Sequence, residues 1–386
     1  MFHQHFNTPE GGGAIRSYYL ATALVQHGHH VTVITSHSGR ERCEKTIEGV
    51  HIIYLPVPYD NRFTFYARAW SFLRFVFDAI LAATPYRTYD HAYGISAPLT
   101  VGLCTLWMKF RYGMPYLFEV GDLWPDAPIQ LGFIRNRLFQ WMLFRLEKMI
   151  YRNSRTVVAL STPIAKAIGE KSPGIPVVVV PNMADDEFYF PDEGLKDKQK
   201  SEREKFVVSY IGALGFANGL HQLLDCALEC QARNLPVTFI ICGDGAMADD
   251  LKNTVKQREI GNVTFAGFIN RDGVREIMSM TDAVFISYLP VPILETGCPN
   301  KYFDGLAAGK VIIVNFGGWI RDEIESHQCG FYTDPADPAD FAKKIGSFLT
   351  DHSKLKNFQQ RSRSLAEGNY SRKKLSASFA SLFSKS

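Results

Sequence analysis

Short apolar runs alternate with longer segments of helical spacing along most of the chain. In the first half, residues 31–35, 51–56, 92–96, 116–120, 156–161 and 177–180 read as strands. Residues 63–83, 99–110 and 136–152 read as the helices between them. An apolar start, residues 2–6, precedes three consecutive glycines and reads as a short first strand. Such alternation predicts a parallel, doubly wound sheet with helices on both faces.

The pattern breaks at "PDEGLKDKQKSEREK", residues 191–205, which is charged and almost free of apolar residues. It reads as a solvated linker. A second alternating set follows. Residues 206–211, 237–242, 262–265, 283–287 and 311–314 read as strands, and 220–233, 302–308, 337–349 and 373–383 as helices. The fold class is therefore α/β, with two tandem Rossmann-like domains facing a cleft. The boundaries fall at 1–185 for the first domain, 186–205 for the linker and 206–365 for the second domain. Residues 366–386 form a C-terminal helix that packs back on the first domain. In such sheets a ligand lies at the carboxyl ends of the strands.

Composition changes this picture little. The 386 residues suit two domains, and 46% hydrophobic with 21% charged residues is ordinary globular usage. Charge is unevenly spread: residues 1–185 carry 18 Lys and Arg against 13 Asp and Glu, and eight of the eleven His. A basic half favours an anionic ligand or surface. The excess is too small for a dedicated nucleic-acid binder, and no nucleic-acid motif is present. Seven scattered Cys with no CxxC argue against a disulfide framework or a zinc site and for a reducing compartment. No basic stretch followed by an apolar core opens the chain, and no run of 18 apolar residues occurs.

Five segments carry candidate chemistry. The triplet Gly11-Gly12-Gly13 opens a helix, so bare backbone N–H groups there suit a diphosphate. It is neither GxGxxG nor a P-loop, which disfavours a dehydrogenase or an NTPase. "FEVGDLWP" places Asp122 just beyond a strand, at the functional edge of the sheet, with Trp124 beside it. "YIGALGFANGL", containing Gly215 and Asn218, and "ICGDGAM", containing Gly243, repeat the strand-to-glycine logic in the second domain. In "LETGCPNKYFDGLAAGK", Pro299 and Asn300 suit a helix start. Lys301 at that positive helix end is unfavourable unless an anion binds there. Asp304, three residues on, shares its helix face and suits ribose hydroxyls; the plain alternative is a surface Lys301–Asp304 salt bridge.

These segments, with "PEGGGAIRSYYLATALVQHGHHVTVIT", "DLWPDAPIQLG", "VVVVPNMADDEF" and "PNKYFDGLAAGKVII", resemble the family 4 retaining glycosyltransferases of GT-B fold across nearly the whole chain. The combination of "DLWP" with "PNKYFD" is most similar to bacterial O-antigen and capsule transferases of the N-acetyl-L-fucosamine transferase type. The resemblance implies a nucleotide-sugar donor, UDP-linked, and a lipid-diphosphate-linked or oligosaccharide acceptor. It implies no metal or other cofactor, and no Asp-x-Asp pair is present to hold one. It maps Gly12 and Gly13 to the donor diphosphate, Asp122 to the reacting centre, Lys301 to a phosphate and Asp304 to the ribose. Relatives carry two Glu eight positions apart; here those positions are Thr296 and Asp304, with Glu295 displaced by one. A Lys–Gly pair of the family reads Asn218-Gly219 here, so either Lys301 carries more of the phosphate contact or Arg16 contributes from across the cleft. His3 and His5 are spare candidates near the first glycine turn.

Two other readings fit the same architecture: a nucleotide-sugar 2-epimerase, or a non-catalytic nucleotide-sugar-binding subunit. The aromatic helix at 63–83, interrupted by Arg68, Arg74 and Asp78, and the basic segment 135–155 suit peripheral contact with an anionic bilayer. A sheet-covering helix is the plain alternative. The expected location is the cytoplasm, including the inner membrane face.

Overall fold

A computed structural model describes residues 1–11, 13, 15–60, 63–190 and 205–384, and of Phe65 the backbone alone. Gly12 and nearly all of the charged stretch 191–205 lie outside the described residues.

The first domain contains strands β1 (Thr32–Ser36), β2 (Cys43–Ile47), β3 (Val50–Leu55), β4 (Ala92–Ser96), β5 (Tyr116–Val120), β6 (Thr156–Ala159) and β7 (Val177–Val179). They form two ladders, β1-β3-β2 and β4-β5-β6-β7. The opening residues join them. Phe2 bridges Ile34 of β1 on one side and Gly94 of β4 on the other. The Phe2 amide donates to the Tyr93 carbonyl (2.7 Å), and the Ile34 amide to the Met1 carbonyl (2.8 Å). The predicted first strand appears as this central bridge at Phe2, with the loop after it leading to Gly11. Strand β2 was not predicted. It is a polar edge strand paired antiparallel to β3 through a tight turn at Glu48 and Gly49, both at positive φ. A Glu-Gly turn beside the exposed "CEKT" gives no apolar alternation to detect.

Helices α1 (Arg16–Gln26), α2 (Phe65–Ala83), α3 (Val101–Tyr112), α4 (Asp126–Gln130), α5 (Arg137–Asn153) and α6 (Thr162–Lys171) accompany this sheet. Thr64 caps α2 by accepting from the Ala67 amide (3.4 Å), and Asn136 caps α5 by accepting from the Phe139 amide (3.0 Å).

The second domain is a six-stranded parallel sheet, β8 (Phe206–Ile211), β9 (Val237–Cys242), β10 (Val263–Gly267), β11 (Ala283–Ile286), β12 (Val311–Val314) and β13 (Gly330–Tyr332), in the order β10-β9-β8-β11-β12-β13. Its central strands are continuous apolar runs, as a sheet covered on both faces requires. Strand order reverses direction between β8 and β11, which opens a crevice at their carboxyl ends. The helix Asn300–Ala307 leaves β11 and lies hard on the sheet. A side chain at Gly305 would stand 2.8 Å from Ile312 Cδ1, so glycine permits the close approach that fixes this helix.

Contacts through Asp185 join the two domains. Asp185 accepts from Tyr19 Oη (2.7 Å) in the first domain and pairs with Arg271 in the second. It also pairs with Arg372 Nη1 (3.0 Å) on the C-terminal helix Arg372–Ser381. That helix packs on α1 and buries Phe379 against Tyr93 of β4, with ring centroids 5.1 Å apart. Tyr189, inside the stretch assigned to the linker, is buried at this junction. Arg363 ties it down by donating to the carbonyls of Asp186 (2.9 Å) and Ala307 (2.6 Å), the latter at the end of the helix that begins at Asn300.

Candidate active site

The carboxyl ends of β8 and β11 meet at Lys301, in the first turn of the helix Asn300–Ala307. Its ammonium donates to Tyr210 Oη (2.7 Å) and lies 4.1 Å from the centre of that ring. Asn218 Oδ1 is a weaker acceptor at 3.5 Å. Tyr210 Oη in turn donates to the Ala213 carbonyl (2.8 Å), and so does Asn218 Nδ2 (3.0 Å), which holds the glycine loop after β8 in shape. Gly212 in that loop has φ +149°, and a Cβ there would press to 3.3 Å from Lys301 Cε. Among the described residues no carboxylate pairs with this cation. Its pKa falls to about 7 because the surrounding protein removes solvation from the charged form.

The other glycine expectations resolve into two kinds. Gly215 precedes the short helical turn Phe216–Asn218 and lies beside the Asn218 side chain. Gly243 allows the loops after β8 and β9 to touch: a Cβ would sit 1.9 Å from the Gly212 carbonyl oxygen. Its amide donates to the Gly267 carbonyl (2.8 Å), so this N–H is engaged within the protein.

Glu295 sits on the turn Pro292–Thr296, and its carboxylate lies against the bare backbone of Gly317 and Gly318 after β12. It has no hydrogen-bond or ion-pair partner among the described residues. The Thr296 hydroxyl closes its own turn by donating to the Ile293 carbonyl (2.7 Å). Asp304 does not pair with Lys301. It faces Asp185, Arg271 and Tyr189 at the domain junction, and burial, reinforced by Asp185, raises its pKa to about 7. The two side chains expected to share one helix face thus have different neighbours: Lys301 leans to the β8 loop and Asp304 to the junction. Asn300 is exposed at the start of the same helix.

From the first domain, three loops at strand carboxyl ends converge on the segment 296–298 just before Lys301. Ser161 Oγ, after β6, donates to the Thr296 carbonyl (2.6 Å). Asn182, after β7, donates its amide to Cys298 Sγ (3.4 Å) and its side-chain Nδ2 to the Cys298 carbonyl. Asp122, after β5, lies near Cys298 and Tyr288: burial raises the pKa of both, and the Asp122 charge adds to the shift. Loss of solvation pushes the Asp122 carboxyl itself up from the usual carboxylate range. First-domain loops thus meet the second domain at the segment that leads into Lys301. Asn182, Ser161 and Cys298 carried no local sequence signal, because their partners lie more than 100 residues away.

Two family models match the chain: a "Glycosyl transferase 4-like domain" over residues 11–183, and "Glycosyl transferases group 1" over residues 192–365. The chain belongs to the glycosyltransferases. Its structure is similar to sucrose-phosphate synthase from Thermosynechococcus elongatus, with TM-score 0.80, 15% identity, and 99% and 97% of the two chains covered. It is also similar to HepE from Anabaena in complex with UDP and glucose, with TM-score 0.71, 18% identity, and 100% and 98% covered. These likenesses establish the GT-B fold. By sequence it is 23% identical over 283 residues to the phosphatidylinositol N-acetylglucosaminyltransferase GPI3 subunit of Saccharomyces cerevisiae, covering 70% of this chain and 58% of that one. The chain spans less than two thirds of the length of the curated relatives it matches.

Of the first-domain residues expected at the donor, Arg16 falls elsewhere. Gly12 is outside the described residues, and neighbouring Gly13 takes φ +79° at the turn into α1. Arg16 does not reach across the cleft. It is buried, pairs with Glu119 of β5 (Nη2–Oε2 3.0 Å) and donates to the carbonyls of Val180 (2.8 Å) and Pro181. Tyr93 Oη donates to the same carboxylate. The physical reason is desolvation: a guanidinium among apolar strands is held by the one carboxylate buried with it. His3 bonds Ser17 Oγ (2.8 Å), and burial lowers the His3 and His5 pKa values to about 3 and about 4, so both rings are neutral at pH 7.

Two outcomes follow from this geometry. Arg16→Met strands the Glu119 charge and lowers stability by about 3–5 kcal/mol in urea unfolding, while the folded fraction keeps its UDP affinity. A loss of UDP affinity with stability intact would return Arg16 to the donor site. Lys301 has a folded pKa of about 7 against 10.5 when unfolded. Between those values the unfolded chain binds the extra proton, so this group's contribution to stability rises with pH. Lys301→Met is accordingly more stable than wild type near pH 6.5, and the gap narrows by pH 9. A gap that stays constant with pH contradicts the assigned burial.

Proposed function

We propose that the protein is a retaining glycosyltransferase that moves a hexosyl or N-acetylhexosaminyl group from a UDP-sugar to a lipid-linked or oligosaccharide acceptor in cell-surface polysaccharide assembly. The observation that carries this reading is the Lys301 ammonium, held at the carboxyl edge of β8 with no carboxylate partner among the described residues. An anion with two phosphates satisfies that charge, the Gly212–Gly215 loop and the start of the Asn300–Ala307 helix together. The UDP bound by Anabaena HepE supports the choice of nucleotide. The O-antigen and capsule setting rests on the resemblance of the "DLWP" and "PNKYFD" segments to such transferases.

In this reading the bond between the sugar's anomeric carbon and the diphosphate breaks, and negative charge grows on the leaving phosphate. Lys301 and the N-terminal end of the Asn300–Ala307 helix stabilise that charge as it develops. The acceptor oxygen attacks the same face of the sugar, and its proton passes to the departing phosphate. Asp122, across the cleft, orients the acceptor hydroxyl and favours positive charge on the sugar. In the same reading Glu295 accepts from sugar hydroxyls and Asp304 from the ribose.

Calorimetry and turnover test the assignment together. Lys301→Ala weakens UDP binding by about 1.5–3 kcal/mol, the scale of a charge-assisted hydrogen bond. Asp122→Asn leaves UDP binding intact and lowers turnover by about 100-fold or more. The product keeps the donor's anomeric configuration by NMR. An inverted product overturns the retaining mechanism. UDP affinity indifferent to Lys301 overturns the site.

A further inference from the structure

Helix α2 is apolar on two opposite faces. Phe75, Ala79 and Ala82 face the sheet and are buried, Phe75 completely. Tyr66, Trp70, Leu73, Phe77 and Leu81, spaced four, three, four and four residues apart, form one stripe on the outer face, where Phe77 is 65% exposed. A sheet-covering helix needs only the first of these faces. The second continues across the neighbouring helices, since α2 packs on α3 and α3 on α5. Helix α3 adds exposed Trp107 and Phe110, and α5 adds exposed Leu138, Trp141 and Met142. An exposed apolar face extending over three helices marks an interaction surface.

The charges on these helices state what the surface meets. Helix α3 carries Lys109 and Arg111 and no acid. Helix α5 carries Arg137, Arg145, Lys148 and Arg152; its one acid, Glu147, is buried and bonded to Lys171 (2.8 Å). The Arg145 guanidinium lies 5.0 Å from the Trp141 ring centre, so cation and aromatic share one patch. On α2, Asp78 is matched by Arg74 at 3.6 Å. A symmetric dimer through this face would set the α3 and α5 cations of one copy against the same cations of the other. An anionic bilayer surface accepts both the aromatic stripe and the cations. No helix among the described residues is long and apolar enough to cross a membrane.

We infer that the outer face of α2, α3 and α5 lies on an anionic lipid bilayer, with the α2 stripe inserted at the headgroup level and the α3 and α5 cations over lipid phosphates. This contact stands apart from the transferase reading. The face reaches the cleft mouth at its α5 end, where Phe133, just before α5, meets Phe216 of the second domain with ring centroids 6.3 Å apart.

The test is co-sedimentation of the full chain with phosphatidylcholine vesicles, with and without about one third phosphatidylglycerol. The protein binds the anionic vesicles, and high salt weakens that binding. Trp70→Ser with Phe77→Ser reduces binding roughly tenfold or more, as does Arg145→Gln with Lys148→Gln. Thermal melting and UDP affinity stay at wild-type values in both double variants, because all four positions are exposed and away from the cleft. Failure to bind anionic vesicles overturns the inference. So does equal binding by the variants, or a wild-type dimer that Trp70→Ser with Phe77→Ser makes monomeric.

Discussion

A desolvated lysine without a carboxylate organises the second domain's working edge. A buried cation is ordinarily matched within its own fold, as Arg16 is by Glu119. Among the described residues Lys301 is matched by a phenol oxygen and an amide oxygen and by no carboxylate. Several features exist to hold it there. Gly305 lets its helix settle on β11 and β12, Gly212 leaves room for its stem, and Tyr210 fixes its ammonium. The cost of an unmatched charge is recovered when an anion arrives, and this makes the edge a site rather than a core.

The same constraint explains how the domains are joined. The segment that leads into Lys301, residues 296–298, is held by Ser161 and Asn182 from the first domain. Behind it, Asp185 gathers Tyr19, Arg271 and Arg372 from three parts of the chain. The cleft is therefore shaped by contacts from both sheets, and the C-terminal helix closes the arrangement by entering the first domain's core through Phe379. Asp122 lies near Cys298 in that same segment, three residues before Lys301.

Much of this was legible in sequence because it is local. Apolar runs of four to six residues announced nearly every central strand, and Pro299 marked the start of the decisive helix. Lys301 stood out because a cation at a helix N-terminus is unfavourable by itself. What stayed hidden was non-local. Nothing near Arg16 reveals that Glu119 is buried beside it, so a fold-holding cation read as a ligand-binding one. Spacing put Lys301 and Asp304 on one face, but their neighbours come from β8 and from the domain junction, which spacing cannot see. Edge strand β2 escaped because a solvated strand has no apolar alternation to display.

The central claim is that Lys301 sits desolvated, with no carboxylate partner among the described residues, until a diphosphate matches its charge. At pH 8 a group with a pKa of about 7 is mostly deprotonated, and a bound anion pulls the proton back. Titrating UDP into the protein at pH 8, in buffers of contrasting ionisation enthalpy, counts that proton. The account predicts uptake of close to one proton per UDP bound, and none in Lys301→Met. Tight UDP binding by the wild type with no proton taken up would contradict it.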